Sequence, residues 1–341
     1  MPFNLSILAR LPATVFGALA TCASLPCMMA TAADHALLGQ TPKQYQVQAG
    51  WGDVSSHMIA LQNCHAMRQD DQGRIVMINT GPKNNVIIFS ADGKVAETWG
   101  STYPGAHGLA FVTDSDGACL WLTDHDRHQV IKTTIKGVEL KVIDWPKDVA
   151  PYAKADQYKP TDIEFADDGS FFVFDGYGLA YVLHYKADGT LIKTFGGKGK
   201  EPHHLNTPHG GAIDRKDPTR PLVVVASRGD QAIKRYLLDG TYVDTIPMPG
   251  AAVCDVMIQG DYIYVPNLNG YLSILDRNYR VISNISGAPP VYDDKRTLQK
   301  MTRVGNTFIH PHNLYTDPAG AIYVAQWNSK GTHPIKLTPV K

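Results

Sequence analysis

The chain has 341 residues, 44% of them hydrophobic and 19% charged, with 32 basic residues balancing 32 acidic ones. Such a composition belongs to an ordinary globular chain with a sizeable core. Zero net charge argues against a nucleic-acid binder or a polybasic partner of anionic membranes, because both need a basic surface.

Residues 1–33 read as a secretory signal. Arg10 supplies a small positive region, and an apolar run from Leu11 to Ala30 follows, interrupted by Pro12 and Pro26. Ala30-Thr31-Ala32 has the small-residue pattern of a cleavage site, with the cut before Ala33 or Asp34. The prolines and the small-residue exit weigh against a membrane anchor. Thr21 weighs against a lipoprotein signal ending at Cys22. No later run approaches the ~18 apolar residues of a spanning helix. The expectation is a secreted or periplasmic monomer, free of the membrane once the signal is cut, with residues 34–341 forming one domain. Cys22 and Cys27 leave with the signal. Cys64, Cys119 and Cys254 remain, too few for a disulfide framework, and no C-x-x-C occurs.

From His65 onward a phrase recurs: a key residue, a short and mostly apolar run, an acidic or Gly turn, then a β-rich run. It begins at His65, His107, Thr161, His209, Cys254 and His312, with spacings by subtraction of 42, 54, 48, 45 and 58. Blades of a β-propeller repeat at about this period. Second Gly turns at Asp92-Gly93, Lys136-Gly137, Asp188-Gly189 and Asp239-Gly240 close further short strands. Four strands per unit and six units predict an all-β, six-bladed propeller. Closure is expected between Tyr45–Val47 and the last blade, which ends at Pro334–Leu337. Lys147–Lys159 and Gly287–Asn306 read as loop insertions.

The innermost strand of each blade lines a central channel, so equivalent positions form a ring. Four of the six key residues are histidines. His107, His209 and His312 fall on alternate blades, and neutral imidazole is the commonest metal ligand. Three histidines with an open position make a catalytic zinc arrangement. The competing reading is a polar, water-filled channel. Small neighbours such as Gly108 and Gly210 let the chain crowd near the axis.

At these residues the chain resembles the peptidyl-α-hydroxyglycine α-amidating lyases, propellers of the NHL-repeat type. The resemblance runs over roughly Ile59 to Leu337. It is carried by HGLAF with LTDHDRHQVIK, KPTDIEF with FVFDGYG, TPHGGAID with VVVASRGDQAIKRY, and HPHNLYTD with GAIYVAQ. It implies zinc on His107, His209 and His312, with Tyr177 and Arg228 as active-site residues. It also implies a structural Ca2+ on the backbone carbonyls of Met67 and Leu109, whose acidic ligand would fall on Asn313. The family's second arginine falls on Thr80, with Lys83 nearby, and its methionine before the third zinc histidine falls on His310. His65 has no ligand counterpart there, which leaves it as channel lining, outer support or ligand. His310 is open in the same way.

The implied reaction splits a carbinolamide, N–C(OH), of a small-molecule or peptide substrate into an amide and glyoxylate. Two other classes compete. A lactonase-type hydrolase would use Asp162, Asp255 and Asn313 as carboxylate and amide ligands. A non-catalytic NHL propeller would bind a protein or glycan through residues such as Trp51, Tyr271 and Trp327. The pair His125 and His128, flanked by Asp124 and Asp126, reads as an exposed loop, and His203-His204 as a surface loop near the channel mouth.

Overall fold

A computed structural model describes residues 36–328 and 331–340. The signal expected over residues 1–33 lies outside the described residues. Short β-rich runs separated by Gly turns fold into six antiparallel sheets, five of them with strands added in chain order from the inside out. The inner strands are Cys64–Gln69, Ala106–Asp114, Asp162–Phe165, Pro208–Asp214, Met257–Gln259 and Pro311–Thr316, in blades 1 to 6. Glycines at the hairpins carry positive φ, among them Gly73, Gly93, Gly169 and Gly320, where a side chain would be strained.

The ring closes as the sequence predicts. Lys43–Val47 joins blade 6 outside Ile335–Pro339, with Tyr45 opposite Pro339 and Val47 opposite Leu337. Leu38–Gln40 adds a fifth strand to that sheet.

There is no single core. Apolar residues collect in six clusters, one between each pair of adjacent blades. Phe172 and Phe174 of blade 3, for instance, pack on Val223 and Val225 of blade 4. Blade 6 meets blade 1 through Tyr323 and Ala325 against Met67 and Met77. Strands buried on both faces explain the continuous apolar runs at Ile75–Asn79 and Phe171–Phe174. Both insertions are loops, the first carrying one 3-10 turn at Ala155–Gln157. Trp51 and Tyr271 are 3% and 0% exposed. Both are core residues, which removes them as docking residues of a recognition module.

Candidate metal centre

Each key histidine lies where its inner strand slips register against the next. The slips fall between Cys64 and Met67, Ala106 and Leu109, Pro208 and Gly210, and Pro311 and Asn313. A bulge turns one side chain away from the regular alternation of the strand. Here it aims an imidazole at the channel axis. Thr161 and Cys254, the other two key residues, precede regular inner strands.

His107, His209 and His312 form a near three-fold set. Their ring centroids are 4.7, 4.7 and 4.6 Å apart, at interplanar angles of 68°, 70° and 72°. Each Nδ1 bonds to the main-chain carbonyl of the next blade's key residue: His107 to Thr161 at 2.6 Å, His209 to Cys254 at 2.8 Å, His312 to His65 at 2.9 Å. A carbonyl only accepts, so each Nδ1 carries the proton and each Nε2 keeps its lone pair. Histidines that ligate metals are held in this way.

His65 is the fourth ring. It lies against the face of His107, centroids 4.3 Å apart, and its Nδ1 is 3.3 Å from His312 Nε2. Donor nitrogens of His65, His107 and His312 all lie within 4.8 Å of one another, a group that can hold a metal ion. His209 reaches the cluster through Tyr177, whose Oη is 2.9 Å from His209 Nε2 and 3.3 Å from His107 Nε2. Two overlapping triads follow, one by donor distance (His65, His107, His312) and one by shared carbonyl anchoring (His107, His209, His312). Only His107, His209 and His312 share the carbonyl-anchored orientation.

Burial and the neighbouring imidazoles hold His65, His107 and His209 well below the usual histidine range, and Arg228 adds to the effect on His65 and His209. Burial lowers His312 to about 3. All four rings are thus neutral near pH 7, the form that ligates. The enclosed space between the rings and the residues beneath measures about 10 Å³, room for one ion or water. Donor type, tautomer, protonation and size all fit a transition metal such as zinc.

A cavity of about 420 Å³ opens onto the ring, in the usual range for a ligand site. Tyr177 and Arg228 line it, as does Thr80. Tyr177 is 37% exposed, yet its hydroxyl reaches inward to the imidazoles. Burial raises its phenol above the ordinary value, and the Arg228 cation, 5.4 Å from the ring centroid, opposes that rise. Lys83 is exposed and stands outside this lining, so it does not replace the family's second arginine. His310 is likewise outside it, packed on Trp327 with centroids 5.3 Å apart.

One wall residue differs from expectation. His125 faces the cavity, its ring 5.8 Å from that of His107 and 5.6 Å from that of Tyr177, with Nδ1 2.9 Å from Asp126 Oδ1. The run TDHDRH looked like a turn, and it is one. Asp124 accepts the amides of Asp126 and Arg127, and this tight turn tips His125 over the channel. His128 points away, with Nδ1 on the Tyr158 carbonyl at 2.7 Å.

The calcium site fits less well. Asn313 Oδ1 accepts the Met67 amide at 2.9 Å, and the Met67 carbonyl accepts Arg68 Nη1 at 2.9 Å. Leu109, on the inner strand of blade 2, pairs with Leu122. Calcium wants six or more oxygens with carboxylate among them, and here an arginine occupies the carbonyl.

The chain is thus a six-bladed propeller whose channel is ringed by neutral imidazoles under a polar cavity. No family model matches the chain. A probable peptidyl-alpha-hydroxyglycine alpha-amidating lyase of Caenorhabditis elegans is 29% identical over 264 residues, 74% of this chain and 70% of that protein. Peptidyl-alpha-hydroxyglycine alpha-amidating lyase 1 of Drosophila melanogaster is 35% identical over 269 residues, 71% of this chain and 47% of that protein. The chain thus spans about half the length of the fly relative. Both relatives carry the name of the peptidyl-alpha-hydroxyglycine alpha-amidating lyases, the family that the sequence resembles. Among solved structures, a streptogramin B lyase superposes with a TM-score of 0.55 at 13% identity, covering 83% of this chain and 95% of the other. An inactive variant of virginiamycin B lyase from Staphylococcus aureus, solved with quinupristin, gives 0.55 at 13%, covering 89% and 100%. At that identity the likeness concerns the fold.

Proposed function

We propose that the protein is an exported, metal-dependent carbon–nitrogen lyase that splits an N–C(OH) carbinolamide into an amide and glyoxylate. The observation that carries this is the set of three carbonyl-anchored imidazoles with the Tyr177 hydroxyl held over two of them. His107, His209 and His312 would hold the metal, which when bound would supply Lewis acidity that eases loss of a nearby hydroxyl proton.

The chain's own groups do the rest. Arg228 is the one Lys or Arg among the residues lining the cavity, and it binds the substrate carboxylate through its planar fork. Tyr177 Oη passes its own proton to the departing amide nitrogen and takes up the carbinol proton, as the C–N bond breaks and the glyoxylate C=O forms. Leu268 and Trp327 line the cavity beside these groups and give the acyl side of the substrate an apolar surface. With Thr80 neutral, Arg228 clamps alone, which favours a small hydroxylated amide over one needing two cations.

The test is elemental analysis of the purified mature chain, followed by glyoxylate release from α-hydroxyhippurate. About one tightly held transition metal and glyoxylate formation are expected. A folded chain without affinity for zinc, or a loaded one that releases no glyoxylate, overturns the reading. Export after removal of residues 1–33 is checked by sequencing the N-terminus of the secreted or periplasmic form. A start at Met1 there sinks it.

A further inference from the structure

The lyase reading leaves the one Lys or Arg of the inner strands unused. Arg68, on the inner strand of blade 1, has a side chain only 12% exposed. Its Nη1 donates to the Met67 carbonyl at 2.9 Å and lies 3.4 Å from Asn313 Oδ1, and its Nη2 donates to Glu164 Oε1 at 3.0 Å. Asn313 in turn donates from Nδ2 to Asp255 Oδ2. Asp162 and Asp255, 3% and 2% exposed, each keep an Oδ1 without a hydrogen-bond donor. The buried Asp162 and Asp255 and the partly exposed Glu164, from blades 3 and 5, therefore share the field of one guanidinium from blade 1.

We propose that Arg68 is a tethered cation standing where the amidating lyases hold calcium, so that this propeller closes without calcium. Two exchanges accompany each other. The acidic ligand implied at position 313 is Asn, which removes one negative charge. A guanidinium in place of a divalent ion removes one positive charge. The net charge of the ion-and-ligand pair stays at one positive. The oxygens match as well, since the Met67 carbonyl and the position 313 side chain both face the guanidinium. An aspartate at 313 would set a further carboxylate against Asp255, whereas the Asn amide donates to it. Burial raises Asp162, Glu164 and Asp255, and Arg68 opposes the rise in each, joined at Glu164 by Arg215. The guanidinium joins blade 1 to blades 3 and 6 directly, and to blade 5 through Asn313.

The experiment needs no activity. The full mature chain is dialysed against millimolar calcium, desalted and analysed for metals, and its thermal midpoint is read with calcium and with EGTA. No bound calcium and no shift are expected. Arg68→Met should lower the midpoint and make calcium raise it by several degrees, because a ligand that binds only the folded state stabilises it. Adding Asn313→Asp to that variant should enlarge the calcium response and give about one calcium per chain. Arg68→Lys, which keeps a cation, should stay calcium-insensitive. Should Arg68→Met fail to fold, calcium during refolding is expected to rescue it. One calcium per wild-type chain, or a variant that calcium neither stabilises nor rescues, overturns the proposal.

Discussion

His107 Nδ1 sits 2.6 Å from the main-chain carbonyl of Thr161, one blade further round the ring. That contact fixes the ring's tilt and its tautomer together. His209 and His312 repeat it on Cys254 and His65, so the set of imidazoles is aligned by backbone rather than by other side chains. Backbone carbonyls of packed blades move little, and a metal site built on them is preorganised.

The two overlapping triads make opposite predictions. If His107, His209 and His312 are the ligands, His209→Ala should weaken metal binding by roughly 100-fold or more, beyond the 10- to 100-fold typical of outer-shell losses. His65→Ala should keep the metal, because the His65 ring only packs on His107 and approaches His312 Nε2. Competition with a chromogenic chelator reads both affinities. Loss in His65→Ala with retention in His209→Ala would assign the other triad.

Acid should destabilise the chelator-treated protein through the same rings. His312 has an ordinary value of 6.5 and falls to about 3 in the folded state. Between those values the unfolded chain binds more protons, so stability rises with pH across that window. The contribution is complete above 6.5 and is lost as pH falls toward 3. Its ceiling is about 5 kcal/mol for a group shifted that far. Asp255 works in the opposite sense, since burial raises it from 3.8 to about 7 and the folded state holds the extra proton. Asp255→Asn should therefore steepen the rise in stability with pH. Urea midpoints measured with chelator across the weakly acid range check the sign, and a flatter profile contradicts it.

Much of this arrangement was legible in the residues. The recurring phrase and its Gly turns gave six blades, and the histidines at alternate key positions marked the channel. The bulges did not show, because a register slip depends on the partner strand and leaves no local signature. Arg68 was missed because its partners Glu164 and Asn313 lie 96 and 245 residues away in sequence. His125 was read as exposed from its turn-like surroundings, but the turn's direction is set by Asp124 and by neighbouring blades. Trp51 and Tyr271 looked available for docking, and long-range packing buries them.

Tyr177→Phe separates chemistry from metal binding. The substitution keeps the ring beside Arg228 and removes only the hydroxyl that lies 2.9 Å from His209 Nε2. Loss of a proton-transfer group costs about 10²- to 10⁴-fold in rate. The drop should fall on kcat, with KM and metal content near those of the parent. Steady-state glyoxylate release paired with metal analysis reads both, and an unchanged kcat would leave Tyr177 as a cap on the cavity.

Gly210 tests whether the backbone holds the site. A Cβ there would lie 2.6 Å from Asp255 Oδ1 and 2.9 Å from the Cys254 carbonyl oxygen, both closer than real contacts allow. That carbonyl is the one that anchors His209. Gly210→Ala must therefore push on the group that orients a proposed ligand, at a typical overpacking cost of about 1–3 kcal/mol. Gly117 is the control, because a Cβ there meets nothing within 4 Å, although its φ of +87° carries its own strain. If the backbone aligns the imidazoles, Gly210→Ala loses metal affinity as well as thermal stability, whereas Gly117→Ala loses stability alone. Equal metal affinity in the two variants would mean that His209 is aligned by the ion rather than by the carbonyl.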